Sequence, residues 1–369
     1  MSAAARRPAR PWTLVTGGAG FIGSELVAQL LTAGRRVRVL DNLATGKREN
    51  LNGLLDAVSG ATRGRCELEV GDVRDETALA AALDGVGAVF HLACLGLRRS
   101  LRDPEESHEV NATATLRLLA AARRAGVGRF LHVSSSEVYG SAGSDGFAGS
   151  DDAAKGRRRR GMNEDHPTRP TTAYGAAKLA GEAYARSYHQ VYGLPVTIAR
   201  PFNAYGPRSH HEGDAGEVIP RFLVRALAGE PLVVFGDGRQ TRDFTHVRDV
   251  ARGLRLAASC QGAVGETLNL GSGTEISIAA LAGQIRRLCG RSELPIVHEA
   301  PRPGDLRRLR ADASRARQLL GWEPRVGWEK GLREIKDWIE SCRRRPDELL
   351  REQGGPASWS NAVQAGGMS

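Results

Sequence analysis

The sequence predicts an α/β protein: a Rossmann-type doubly wound parallel sheet with a smaller C-terminal substrate-binding lobe. Three observations predict it. A glycine turn, TGGAGFIG (Thr16 to Gly23), lies between an apolar run and a helical pattern. An acidic residue, Asp41, stands eighteen residues beyond Gly23, at the end of a second apolar run. Short apolar runs then alternate with amphipathic segments as far as residue 134, the pattern of strands buried on both faces by helices.

The first strand is the run Trp12 to Val15, and the helix after the turn is read from Phe21, Ile22, Leu26, Val27, Leu30 and Leu31. Gly17 lets the chain turn sharply, Gly20 removes a Cβ where backbone amides approach a pyrophosphate, and Gly23 lets the helix sit close on the strand. The amides and the helix dipole then hold negative charge, with Phe21 and Ile22 opening the helix beside it. Val37 to Leu40 forms the second strand, and Asp41 and Asn42 follow it. A carboxylate here accepts hydrogen bonds from an adenosine ribose and repels a 2′-phosphate, so the spacing predicts NAD in preference to NADP. Arg35, Arg36 and Arg38 pull the other way.

Further strands are expected near 66–70, 88–92 and 129–134, and helices near 21–33, 76–84 and 107–125. Their polar ends fall on the sheet edge where such folds bind ligands. Asp72 and Val73 end the third strand, with Asp72 in reach of an adenine amino group. His91, Leu92 and Ala93 end the fourth, beside the pyrophosphate path, and Asn111 begins the apolar face of the next helix. The fifth strand runs into VSSSEVYG, and a long polar segment, 141–169, separates it from a helix that opens near Thr171 and ends near Tyr192. Tyr174 and Lys178, four apart, share a face of that helix.

The remainder is mixed. A strand at 196–199 leads to RPFNAYGP, then a helix at 217–228, a strand pair near 232–235 and 241–246, a helix to Ala258, a strand at 267–270 and helices near 277–289 and 329–341. The expected organisation is a disordered arm at 1–11, a mainly NAD-binding domain at 12–200, a mainly substrate-binding lobe at 201–342 with interleaved elements, and a disordered tail at 343–369.

Composition narrows the function. No stretch reaches the ~18 apolar residues of a membrane span, and the first residues carry no apolar signal region. Five cysteines without a CxxC pair point to reduced thiols in a cytoplasmic protein and to no metal site. The net charge of +10 suggests nucleic acid, yet clusters of three, four and three arginines (Arg6, Arg7 and Arg10; Arg157 to Arg160; Arg343 to Arg345) equal the whole excess. These are solvated segments around a nearly neutral body, so neither nucleic acid nor a membrane is an expected partner.

TGGAGFIG, Asp41, GDV, HLA, SSSEVYG, YGAAK, RPFNAYGP, GRQTRDFTHVRD and RPGD, in this order over residues 12 to 340, resemble the extended short-chain dehydrogenase/reductases. These are the nucleotide-sugar epimerases, 4,6-dehydratases and decarboxylases. The resemblance implies NAD as cofactor and a reaction that begins by oxidising a nucleotide sugar at C4. It implies Tyr174 as the base for the C4 hydroxyl, Ser135 as its hydrogen-bonding partner, and Lys178 on the nicotinamide ribose. A phenol is a poor base at neutral pH, so Lys178 and the cationic nicotinamide are expected to favour phenolate at Tyr174. Substrate contacts are implied for Ser135, Ser136, Asn203, Val218, Phe235, Arg242 and Arg302, the arginines suiting a diphosphate and Phe235 the base. A homodimer through the helices near 107–125 and 171–192 is implied as well.

Glu137 matches a family position that is Glu in 4,6-dehydratases and UDP-glucuronate decarboxylases, and a carboxylate there can remove a C5 proton acidified by a 4-ketone and drive loss of the C6 hydroxyl; Ser136 stands where the dTDP-glucose dehydratases have Asp. The expectation therefore leans to a 4,6-dehydratase, with a 4-epimerase, a UDP-glucuronate decarboxylase or an NAD-sensing regulator as alternatives. Three departures bear on substrate preference: a segment between Gly140 and Glu164 about a dozen residues longer than usual for such proteins, Cys94 in place of a small alanine, and Ala114 in place of a helix glycine. The long segment, with Arg157 to Arg160, is expected either beside the substrate mouth or as a solvated insertion.

Overall fold

A computed structural model describes residues 11–52, 64–140, 161–302, 304–342 and 344–353 of the chain. The strands are β1 (Trp12–Thr16), β2 (Arg36–Asp41), β3 (Cys66–Val70), β4 (Val86–His91), β5 (Arg129–Val133), β6 (Val196–Pro201), β7 (Asn203–Tyr205), β8 (Leu232–Phe235), β9 (Thr241–His246), β10 (Thr267–Leu270), β11 (Glu275–Ser277) and β12 (Ile296–Glu299). Seven of them form one sheet in the order β10-β6-β5-β4-β1-β2-β3. Every neighbouring pair in it is parallel. The fold class is the expected one.

Both faces of this sheet are covered. On one, the helices Phe21–Thr32 and Val247–Ser259 pack together over Val15, Val37, Val39 and Leu268. On the other, Ala114–Arg124 and Ala173–Tyr192 cover Leu14, Val89, Phe130 and Ile198. Such burial explains why the strands read as unbroken apolar runs rather than alternating ones. Strand order reverses at β1, between β2 and β4, so the carboxyl ends there open a crevice for a ligand.

The smaller lobe holds the three-stranded sheet β11-β9-β7 and the parallel pair β12-β8. Its core gathers the helices Val218–Leu227, Ile278–Leu288, Trp328–Ser341 and Pro346–Arg351 around Val234, Leu223 and Ile335.

The structure corrects two expectations. The strands at 232–235 and 241–246 do not pair with each other: β8 pairs with β12, and β9 lies between β7 and β11. The tail is not disordered from its start, because Pro346–Arg351 is a helix with Leu349 only 1% exposed. Its start signals were in the sequence, a proline at the first turn followed by Asp347 and Glu348. The long polar segment is also folded at its far end, where Met162 N donates to Arg310 O at 2.7 Å and Glu164 Oε1 accepts from Asn269 N at 2.7 Å. Residues 1–10, 53–63, 141–160 and 354–369 lie outside the described residues, and the expectations for Arg157 to Arg160 fall there.

Candidate active site

The crevice is built by close approach of backbones. Gly17 has φ of 69°, and a Cβ on it would stand 2.7 Å from Ala93 N. At Gly23 a Cβ would lie 2.1 Å from Gly17 O, so only glycine lets the helix begin where it does. Thr16 Oγ1 accepts from Ala93 N at 3.2 Å and bonds His91 Nδ1 at 2.8 Å, fixing the ends of β1 and β4 side by side. Gly20, buried Phe21 and half-buried Ile22, Leu92 and Ala93 border this cradle.

Asp41 is buried and accepts from Ala19 N and Leu43 N, each at 2.9 Å. Burial raises its pKa, and the two amides partly offset that. Asp41 thus ties the glycine turn to the next loop, and its two oxygens keep lone pairs beyond these two bonds. Asp72 is more committed. Its Oδ1 accepts from Arg74 N and Nε at 2.8 and 2.9 Å, and its Oδ2 from Asn42 Nδ2 and Arg74 Nη2 at 2.9 and 2.8 Å. An adenine amino group would have to displace one of these. The Arg74 bonds hold the Asp72 pKa well below the ordinary range. Val73 is buried in the apolar core beneath.

The expected catalytic side chains gather where β5 meets the helix Ala173–Tyr192. Thr172 caps that helix, accepting from Gly175 N at 3.1 Å. Ser135 accepts from Glu137 N at 3.2 Å, and the Tyr174 phenol lies beside its hydroxyl. Lys178 is buried and donates from Nζ to Val133 O at 2.6 Å. Ser135, Tyr174, Lys178 and Glu137 thus converge, and Ser136 is buried in the same turn.

The expected phenolate is not what the protein alone delivers. Burial, with Cys94 and Glu137 nearby, pushes the Tyr174 pKa up, and Ser135 offsets only part. Burial also lowers the Lys178 pKa, with Cys94 and Glu182 opposing. Burial raises the Glu137 carboxyl above its ordinary value; Arg242 opposes this and Asp305 adds to it.

The facing wall is cationic. Arg242 Nη1 donates to Thr241 O at 2.8 Å and Leu306 O at 2.7 Å, while Nη2 pairs with Asp305. Arg302 lies over the Phe235 ring, 4.2 Å from its centroid. Burial brings its pKa down to about 10, and the nearby Arg221 and Arg242 push the same way against Asp305. Asn203 Oδ1 is buried and no donor among the described residues reaches it. Val218 is half-buried at the head of its helix.

Sequence reading missed Arg221 and Asp305; it noted Cys94 as a departure bearing on substrate preference and Asn111 among the polar groups at the ligand edge of the sheet, with no role assigned to either. Asn111 clamps the loop after β4, accepting from Leu95 N and donating to Leu95 O, each at 3.0 Å. It sits in a π-helical turn, Glu109–Thr113, where a single continuous helix was expected. That widened turn was a signal visible only in three dimensions. Among the described residues no three His, Cys, Asp or Glu side chains are grouped to hold a metal, and no helix is long and apolar enough to cross a membrane.

A family model described as GDP-mannose 4,6 dehydratase matches residues 14–335. A UDP-glucose 4-epimerase of Mycolicibacterium smegmatis is 38% identical over 337 residues, covering 89% of this chain and 98% of that one. A dTDP-glucose 4,6-dehydratase of Streptomyces niveus is 33% identical, covering 92% and 98%. Among solved structures, a dTDP-glucose 4,6-dehydratase from Streptomyces venezuelae with NAD bound superposes with a TM-score of 0.80 at 35% identity, covering 90% of this chain and 98% of that one.

Proposed function

Because the chain belongs to the extended short-chain dehydrogenase/reductase family of nucleotide-sugar epimerases and dehydratases, we propose that it is an NAD-dependent nucleotide-sugar 4,6-dehydratase. NAD is the cofactor. The glycine turn packs close on Ala93, the helix Phe21–Thr32 points its N-terminus at the pyrophosphate, and the Asp41 carboxylate is placed to meet the ribose. When bound, NAD supplies a reversible two-electron oxidation at sugar C4.

The chain's own residues handle protons and charge. Tyr174 takes the C4 hydroxyl proton, with Ser135 orienting the same oxygen. Since burial holds the phenol protonated in the free protein, Tyr174 becomes a base only as positive charge gathers beside it. Arg242, Arg302 and Arg221 hold the diphosphate, Phe235 packs against the base, and Asn203 and Val218 complete the wall.

The observation that carries dehydration over epimerisation is Glu137. Its carboxyl is near Tyr174, buried, and raised in pKa, which suits a group that accepts a proton and passes it on. A C4 ketone acidifies C5. Glu137 removes the C5 proton and passes it to the departing C6 hydroxyl, releasing water; return at C6 of the hydride taken from C4, with a solvent-derived proton at C5, completes the 4-keto-6-deoxy product. An epimerase needs no such carboxyl.

The test is turnover of UDP-glucose, dTDP-glucose, GDP-mannose and UDP-glucuronate in deuterated water by wild type and Glu137→Gln. Solvent deuterium at C5 with loss of water, abolished in the variant, supports the proposal. A C4-inverted product free of deuterium, formed equally fast by the variant, means a 4-epimerase. UDP-glucuronate losing carbon dioxide means a decarboxylase, and no turnover with NAD tightly held means a sensor. The same reading includes a homodimer, supported by Val191 and Tyr192 standing 67% and 48% exposed on the helix Ala173–Tyr192; light scattering that returns one chain's mass would exclude it.

A further inference from the structure

Two contacts cross from the cofactor half of the molecule to the segment 206–217, and neither has a role above. One turn into the helix Phe21–Thr32, Glu25 Oε2 accepts from Arg208 Nη2 at 2.7 Å. Glu25 Oε1 accepts from Gln29 Nε2 at 3.0 Å, which fixes the carboxylate on the helix. In the loop after β2, Lys47 N donates to Ala19 O at 3.0 Å, and the Lys47 ammonium pairs with Glu212. The first pair is the more sheltered, its Arg208 and Glu25 side chains being 17% and 14% exposed.

The backbone is strained where these contacts meet it. Among the described residues, two that are not glycine have positive φ: Leu43 at 58° and Arg208 at 70°. A Cβ makes that conformation unfavourable, so it persists only where other contacts outweigh it. Leu43 has such a contact in the bond from its amide to Asp41 Oδ1. Arg208 has the pair with Glu25. Against that pair stand the backbone strain and a buried Arg208 Nε that no acceptor among the described residues reaches.

The segment leads to the cationic wall. Glu217 N donates to His210 O at 2.7 Å, burial pushes the Glu217 carboxyl up to about 8, and the helix Val218–Leu227 begins there. That helix carries Arg221, whose Nη1 donates back to Gly213 O at 3.0 Å and whose guanidinium lies near Arg302. A change in the shape of 206–217 therefore moves Arg221. Resting on the nucleotide-sugar reading, we propose that Glu25 is a positioning residue: through Arg208 it holds 206–217 in its strained form and so sets Arg221 for a nucleoside diphosphate. Lys47 and Glu212 brace the same segment from its other end. Without Glu25, nothing offsets the strain at Arg208, and the segment relaxes to a shape that no longer aims Arg221.

Strain makes a distinctive demand at position 208. Glycine adopts the left-handed conformation freely and removes the orphaned Nε, whereas alanine keeps the strain and loses the pair. The experiment is calorimetry of UDP, dTDP and GDP binding to the NAD-loaded protein. For whichever binds wild type, Glu25→Ala and Arg208→Ala should each weaken it by about fivefold or more, while Arg208→Gly stays within about twofold. Adding Glu25→Ala to Arg208→Gly should weaken it no further. A merely structural pair would give Arg208→Gly the same loss as Arg208→Ala, and that result would overturn the proposal, as would additive losses in the double variant. Tm of each loaded variant reports folding. Should Glu25→Ala not fold, Glu25→Gln removes the charge, keeps an acceptor, and must show the same loss to a smaller degree. Wild type that binds none of the three diphosphates defeats the nucleotide-sugar reading itself. Wild type that binds one, with Glu25→Ala and Arg208→Ala unaltered, defeats only the role of Glu25.

Discussion

The Asp41 carboxylate joins two loops through the Ala19 and Leu43 amides, so its removal should do more than alter cofactor choice. Asp41→Ala is expected to weaken NAD by about tenfold or more and to narrow the gap to NADP, since one charge-assisted bond and one repulsion vanish together. Calorimetry with both dinucleotides checks this, and a wild type that prefers NADP would refute the reading of Asp41. Glu217 makes a prediction about pH. Its folded-state pKa of about 8 lies above the ordinary 4.5, so the folded protein holds this proton more tightly than the unfolded chain. The stability linked to it is full below about pH 4.5 and is lost as pH rises through about 8. Glu217→Gln resembles the protonated form. Its Tm should match wild type near about pH 5 and exceed it near about pH 9. Parallel Tm curves across that range would contradict the shift.

Among the elements, the C-terminal helix does more than its length suggests. Pro346–Arg351 buries Leu349 in the lobe's core. Beyond it, Glu352 O accepts from Gly213 N at 2.8 Å, and Gln353 Nε2 donates to Arg221 O at 3.2 Å. The helix thereby holds both the 210–217 turn and the residue that brings a guanidinium to the cationic wall. Truncation after Cys342 should cost about 2–4 kcal/mol, chiefly from the lost Leu349 burial and the exposed core. It should also raise KM for the nucleotide sugar more than it changes kcat. Denaturant unfolding and steady-state kinetics test the two parts, and an unchanged KM would mean that the turn holds its shape unaided.

Over the whole molecule, a buried ion pair joins the sheet to the segments that cross onto it. Arg200 donates to both Glu182 oxygens at 2.8 and 2.7 Å, and to Tyr139 Oη at 2.9 Å and Glu164 O at 3.2 Å. Tyr139 Oη donates to Asn269 at 2.7 Å, and Asn269 Nδ2 reaches Met162 O and Asp312 O at 2.9 and 3.1 Å. Burial pushes Tyr139 up to about 12, which keeps the phenol a donor. Burial also opposes ionisation of Glu182, but the Arg200 bonds outweigh it and hold its pKa below the ordinary 4.5. The stability linked to Glu182 is present above that value and fades as pH falls through the folded pKa. Glu182→Gln leaves a buried guanidinium half-paired and should cost about 3–5 kcal/mol near neutral pH, with a smaller difference in acid. Urea unfolding at several pH values measures it; a loss that stays constant into acid would assign the effect to packing rather than to charge.

The sheet, the glycine turn, Asp41 and the shared helix face of Tyr174 and Lys178 were legible in the sequence because each is a local pattern, whereas Ser135 came only from the family resemblance. Strands buried on both faces are apolar runs, a backbone that must approach another needs glycine, and residues four apart on a helix share a face. The sequence by itself also determined the order in which these parts follow one another. Only tertiary structure decided which distant residues meet. The pairing of β8 with β12, the bond of Asn42 to Asp72, the docking of Leu349, and the approach of Arg221 and Asp305 to Arg302 and of Cys94 to Tyr174 all join segments with no shared periodicity. The protonation of Tyr174 was decided there too. Four-residue spacing places Lys178 near it, but whether a phenol ionises depends on how much water the surrounding packing removes, and that depends on the whole fold.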